Sequence, residues 1–240
     1  MSLDASSVEE GSSTLDVGLF ITTRPEAGDW AVADAERLAR EGLEEAAAIL
    51  GACDLGLHVI AAEVTSAPPE LLDVEGNAVG AWGGLAPEHE ADPDMFNYGL
   101  NEQLATEPRA LFEHARAYLP SGAVAIVIVD SITYWAAGEA RLAGGLSFPP
   151  VVYHHADDHP TRNAVLVAAS YPKAGDLPTR INGITLAHEL GHMLLDTAQH
   201  GGPEDGLMQA GTSITASQCD VMREAAAGIY GAKPVADPRR

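Results

Sequence analysis

The chain has 240 residues, 46% hydrophobic and 20% charged, a composition that predicts a soluble globular domain able to bury its own core. Its 35 Asp and Glu against 13 Lys and Arg leave a formal net charge of -22, which excludes phosphate backbones and anionic membrane surfaces as partners. Two cysteines, Cys53 and Cys219, are too few for a disulfide framework; they either pair with each other or, the preferred reading, stay apart as small buried hydrophobes.

Residues 1–14 are rich in Ser and acid and lack the basic and apolar regions of a secretory signal, so a disordered tail is expected. No run approaches the eighteen or so apolar residues of a membrane span. The compartment is left as cytoplasmic or reached by a non-classical export route. Leu15 to Thr22 reads as a first strand. From Trp30 to Leu50, apolar Ala35, Leu38, Leu43, Ala46, Ala47 and Leu50 fall near helical spacing, and Gly51 supplies the stop. Leu55 to Val64 reads as a second strand, and strand, helix, strand predicts a layered α+β domain, α/β-like in its order.

Residues 65–96 change character. Pro68, Pro69, Gly76, Gly80, Pro87 and Pro93 predict a long irregular insertion within one domain spanning 15–232, with a second tail at 233–240. A helix follows from Asn97 to Tyr118, then the clearest buried strand of the chain, Ala123 to Val129. Further strands are expected at Val151 to Tyr153 and Asn163 to Ala169. Helices are expected from Ile181 to Asp196 and from Thr215 to Tyr230, the latter with Thr212 or Ser213 near its N-cap.

The helix predicted over 181–196 carries His188-Glu189-Leu190-Gly191-His192, the zincin signature H-E-x-x-H. Residues four apart on a helix lie one turn above each other, so His188 and His192 can aim two imidazole nitrogens at one tetrahedral Zn2+. Glu189 is rotated by roughly 100° from His188, which turns its carboxylate toward a water on the metal rather than the metal itself. That makes Glu189 the candidate general base. For the third ligand His200 is favoured over Asp196, Glu204 and Glu224. Asp196 continues the helical row but lies about 12 Å along the axis from His188. It is assigned instead to hold the Nδ1–H of a ligand histidine or to cap the helix end.

These residues resemble the metzincin clan of zinc metallopeptidases, whose motif continues as H-E-x-x-H-x-x-G-x-x-H and is followed by a methionine-containing turn. Gly206-Leu207-Met208 is similar to that Met-turn. The chain departs from the pattern in three places. Leu195 stands at the glycine where the clan's helix bends, Ala198 stands at its third histidine, and His200 comes two residues late. A longer helix and a longer loop to His200 are therefore expected. The resemblance implies a twisted mixed sheet, an active-site helix and a C-terminal helix, with Met208 as a soft floor under the zinc. It also implies an edge strand that pairs with an extended substrate peptide. Gly144 to Val151 is the candidate for that edge, with an ordinary connecting loop as the alternative.

Tyr153 to His159 gathers His154, His155, Asp157, Asp158 and His159 into a candidate second, structural metal site, against the reading of a solvated polar turn. His89, Asp92 and Asp94 are candidates for a lid segment, and His58 and His114 read as structural. The expected protein is a monomeric zinc-dependent endopeptidase with one catalytic Zn2+, acting on a peptide or protein substrate. Two alternatives are a non-proteolytic zinc-binding or partner-binding module on the same fold, and a zinc amidase acting on a small amide.

Overall fold

Val124–Val129 (VAIVIV) is buried at all six positions. An uninterrupted run of this kind predicts a strand covered on both faces. A computed structural model bears this out and describes residues 13–23, 32–66, 73–75, 106–136, 139–149, 161–169, 182–197, 200, 203–209 and 211–234. Among these, the strands in chain order are β1 (Ser13–Thr23), β2 (Leu55–Ser66), β3 (Asp73–Glu75), β4 (Val124–Val129), β5 (Ser131–Ala136), β6 (Glu139–Ala143), β7 (Gly145–Phe148), β8 (Ala164–Ala168) and β9 (Lys233–Pro234). The α-helices are α1 (Val32–Leu50), α2 (Thr106–Ala117), α3 (Gly183–Leu195) and α4 (Ala216–Gly228).

The main sheet runs β2-β1-β4-β8-β7. The first four strands are mutually parallel and β7 is antiparallel to β8. The sheet is therefore mixed and the chain is α+β, with helices on both faces. Strand alternation sorts the core into two clusters. Val124, Ile126 and Ile128 of β4 join Leu43, Ala46 and Leu50 of α1, Leu190 and Met193 of α3, and Met222 of α4. Ala125, Val127 and Val129 face the other way, toward Leu111, Phe112 and Ala115 of α2. There Phe112 meets Phe148 of β7 edge-on, ring centroids 5.5 Å apart, an arrangement worth about 0.5–1.5 kcal/mol beyond simple burial.

β2 needs one irregularity to serve this core. Leu57 and Val59 align with Leu15 and Val17, but Gly18 then aligns with Ala61, which leaves Ile60 as an extra residue. The bulge reverses the alternation, so even-numbered Val64 faces the same cluster as odd-numbered Leu57.

Several expectations change. Cys53 and Cys219 form a disulfide with Cα atoms 4.8 Å apart. The preference for separate buried thiols fails because packing of α4 against the 3-10 turn Gly51–Cys53, which follows α1, brings two cysteines 166 residues apart together. The sheet also reaches past the expected domain limits. Ser13 and Thr14 pair with Leu55 and Gly56 on one side and with Pro234 and Lys233 of β9 on the other, so both tails contribute a strand end. Inside the expected insertion, Asp73–Glu75 pairs with Ser131–Thr133 of β5, and β5 pairs with β6. A three-residue strand is too short for its periodicity to show. The N-cap of α4 is Thr215, in a capping box with Gln218, rather than Thr212 or Ser213, because Thr215 alone is three residues from a reciprocating side chain. The strand expected at 151–153 and the start of the helix expected from residue 97 lie outside the described residues.

Candidate metal centre

α3 begins where Asn182 accepts the Ile184 N–H at 2.9 Å, an N-cap that satisfies one of the free donors of the first turn. Glu45 of α1 accepts the Gly183 N–H at 2.9 Å, placing a carboxylate at the positive end of the helix dipole. A Cβ at Gly183 would stand 2.6 Å from Glu45 Oε2, so this approach requires glycine. From this anchored start, helical spacing carries His188 and His192 into the buried interior. Leu195 is the last helical residue, and Asp196 reverses the chain in the left-handed region at φ 48°. Tyr230, after α4, ties down this end by donating its hydroxyl to the Met193 carbonyl at 3.0 Å. Burial and the nearby Asp196 raise the Tyr230 pKa, so it remains a donor.

The returning chain presents His200 to the other two rings. His188 Nε2 lies 3.1 Å from His192 Nε2 and 3.2 Å from His200 Nε2. Ring centroids are 4.6 Å (188–192), 4.9 Å (192–200) and 5.1 Å (188–200) apart, a nearly equilateral arrangement. The protons of the two helical imidazoles are elsewhere. His188 Nδ1–H donates to the Leu207 carbonyl at 2.6 Å and His192 Nδ1–H to the Thr197 carbonyl at 2.7 Å. In the neutral rings these bonds leave both Nε2 atoms as bare lone pairs facing each other. Protonating one ring would relieve the repulsion, but burial, followed by the neighbouring His188, pushes His192 down to about 3. Burial and His188 lower His200 as well, and burial lowers His188.

Two bare lone pairs, with His200 Nε2 3.2 Å from that of His188, make an arrangement suited to a cation. A tetrahedral ion with metal–nitrogen bonds of about 2.0–2.1 Å separates its ligand nitrogens by about 3.3–3.4 Å, within a few tenths of an ångström of the two short separations. His188, His192 and His200 together could hold a metal ion, and His200 is the exposed member of the set. Glu204, also considered as a ligand, is exposed and does not join the cluster.

Glu189, next to His188 on α3, is buried, and its Oε2 accepts a hydrogen bond from Ser147 Oγ at 2.8 Å. Burial raises its pKa to about 8, against a smaller lowering by that hydrogen bond. Met208 is buried in the 3-10 turn Leu207–Gln209. Its sulfur would stand 3.2 Å from a Cβ at Gly191, so the turn packs on the bare stretch of helix between the two histidines.

Asp196 takes the second of its two expected roles. It caps the helix through its backbone N–H, while the carbonyls of Leu207 and Thr197 hold the Nδ1 protons. Backbone acceptors leave no trace in residue identity, which is why a carboxylate was expected there. Ser147 and Glu45 also carried no motif, since each meets α3 only through the tertiary fold. The segment His154, His155, Asp157, Asp158 and His159 lies outside the described residues, as do His89, Asp92 and Asp94. His58 and His114 are structural as expected. They bond Asp16 at 2.8 Å and Glu63 at 2.9 Å.

No protein-family model matches this chain, and no curated protein matches it. Among solved structures it is similar to a chain in one described as "Structure of a chaperone-substrate complex", at 13% identity with a TM-score of 0.47. That alignment covers 92% of this chain and 35% of the other, so the chain spans about a third of that protein's length.

Proposed function

We propose that the protein is a metzincin-like zinc metalloendopeptidase, with zinc on His188, His192 and His200 and Glu189 as the general base. The observation that carries this reading is the convergence of Nε2 lone pairs whose Nδ1 protons are already held by backbone carbonyls, with a buried carboxylate alongside. An all-imidazole set of three with an open fourth position suits catalytic zinc. When bound, zinc supplies Lewis acidity that lowers the pKa of water to about 7. Glu189 takes the proton from the attacking water and returns it to the leaving amine nitrogen. A carboxylate raised to about 8 is suited to holding a proton between those two steps near neutral pH.

The edge position of β7 supports an extended substrate. Among the described residues β7 ends the main sheet, bonded to β8 on one side, the place in the order at which an added peptide strand would pair. Met208 in its buried turn fits the Met-turn part of the resemblance. The net charge of -22 favours basic or neutral peptides over acidic ones. No helix among the described residues is long and apolar enough to cross a membrane, and the Cys53–Cys219 bond suits an oxidising compartment.

The test is cleavage of an unfolded protein substrate, expected to disappear on chelation and return with one equivalent of zinc. Zinc bound at one equivalent with no cleavage across a peptide library would sink the peptidase reading in favour of a binding module. Cleavage confined to small amides would assign an amidase instead.

A further inference from the structure

β7 presents alternate residues to its two faces. Leu146 and Phe148 pack in the cluster with Phe112. Gly145 and Ser147 pair with Val167 and Val165 of β8, whose side chains belong to the cluster beneath α3. The first pair of side chains builds core, and the second pair faces the helix that bears the HExxH residues.

Two separate observations place Glu189 against Gly145 and Ser147. The Ser147 hydroxyl donates to Glu189 Oε2 at 2.8 Å, with both residues buried. A Cβ at Gly145 would lie 2.5 Å from Glu189 Cγ and 2.8 Å from both Cδ and Oε1. Real Cβ atoms do not approach other atoms that closely, and the carboxylate cannot swing aside without losing Ser147. The rest of the strand does not need this space, since Leu146 and Phe148 are large and well packed.

We propose that Gly145 and Ser147 form a seat on the edge strand that sets the orientation of the Glu189 carboxylate. The missing Cβ at 145 admits the side chain, and the hydroxyl at 147 holds Oε2. Ser147 acts through Glu189 and is a positioning residue. The inference rests on the reading of Glu189 as general base and adds the part of the fold that orients it.

Kinetics and metal-free stability test the seat separately. Ser147→Ala is expected to lower kcat about 10-fold, the effect of one hydrogen bond to a charged group, with KM within about twofold and zinc content unchanged. Ser147→Thr, which keeps the hydroxyl, should recover most of kcat. In chelator-treated protein, Gly145→Ala should lower Tm by about 2–4 °C when Glu189 is present and much less in a Glu189→Ala background. A non-additive cycle in a protein that cleaves no peptide would keep the seat and remove the peptidase reading. An additive cycle, or unchanged kcat in Ser147→Ala, would overturn the seat and leave the peptidase reading standing.

Discussion

Among the described residues, histidines meet carboxylates or other histidines in two regions, at similar distances and with different surroundings. On the β1–β2 surface, His58 bonds Asp16 at 2.8 Å and His114 bonds Glu63 at 2.9 Å, each histidine side chain about half exposed. His114 also lies edge-on to Phe20 and Tyr118. Each imidazole there has an acceptor for its proton and water nearby, so the pair is self-sufficient and worth about 0–1 kcal/mol. Around α3, backbone carbonyls take the imidazole protons and a serine takes the carboxylate, so the facing Nε2 atoms have only each other. The presence of His and Glu does not distinguish the two regions. What separates them is whether the local hydrogen bonds complete the group or leave a cluster that could hold an ion.

The largest contrast should be catalytic. Glu189→Gln is expected to lower kcat/KM by about 10²–10⁴-fold, whereas His58→Ala and His114→Ala should stay within about twofold. Equal losses in all three would erase the distinction between the regions. Metal content sharpens it further. His188→Ala and His192→Ala should lose the single equivalent of zinc after dialysis, while the two surface variants retain it by elemental analysis.

The disulfide joins the two regions, since Cys53 precedes β2 and Cys219 lies on α4, against α3. Its loss in a Cys53→Ser, Cys219→Ser variant should cost about 2–5 kcal/mol in denaturant unfolding. A variant as stable as the parent would mean that noncovalent packing alone holds the regions together.

Glu189 has its folded pKa raised from 4.5 to about 8, so its contribution to stability is complete below about 4.5 and is lost as pH rises through about 8. Metal-free protein should therefore lose Tm as pH rises from 6.5 to about 8, and Glu189→Gln should remove that slope. His192, lowered to about 3, acts in the opposite direction but only below about 6.5, outside that window. The smallest effect belongs to the surface, where His58→Ala should change stability by less than about 1 kcal/mol.

Much of the fold was legible because its signals are local. VAIVIV announces a buried strand, the apolar spacing from Leu38 to Leu50 announces a helix with a glycine stop, and H-E-x-x-H announces two imidazoles on one helix face. Other elements were hidden for physical reasons. β3 has three residues and exists only because β5 lies beside it. The parity reversal at Ile60 looks like broken alternation until β1 supplies the register. Ser13, Thr14, Lys233 and Pro234 read as tail because their order comes from one another and from β2.

At the site, residue identity determined that His188, Glu189 and His192 project from one helix, since a 3.6-residue turn leaves no other arrangement. It also restricted the third ligand to a short choice. Only the tertiary structure brought His200 to the other two rings, past the reversal at Asp196, and only the tertiary structure placed the carbonyls of Leu207 and Thr197 on the ring protons. The same holds for Cys53 with Cys219, and for Gly145 and Ser147 with Glu189, across 166 residues in the first case and 42 between Ser147 and Glu189 in the second. A spacing of four residues is read by the helix itself. A hydrogen bond to a distant backbone, a disulfide or a missing Cβ has meaning only after sheet and helices have packed.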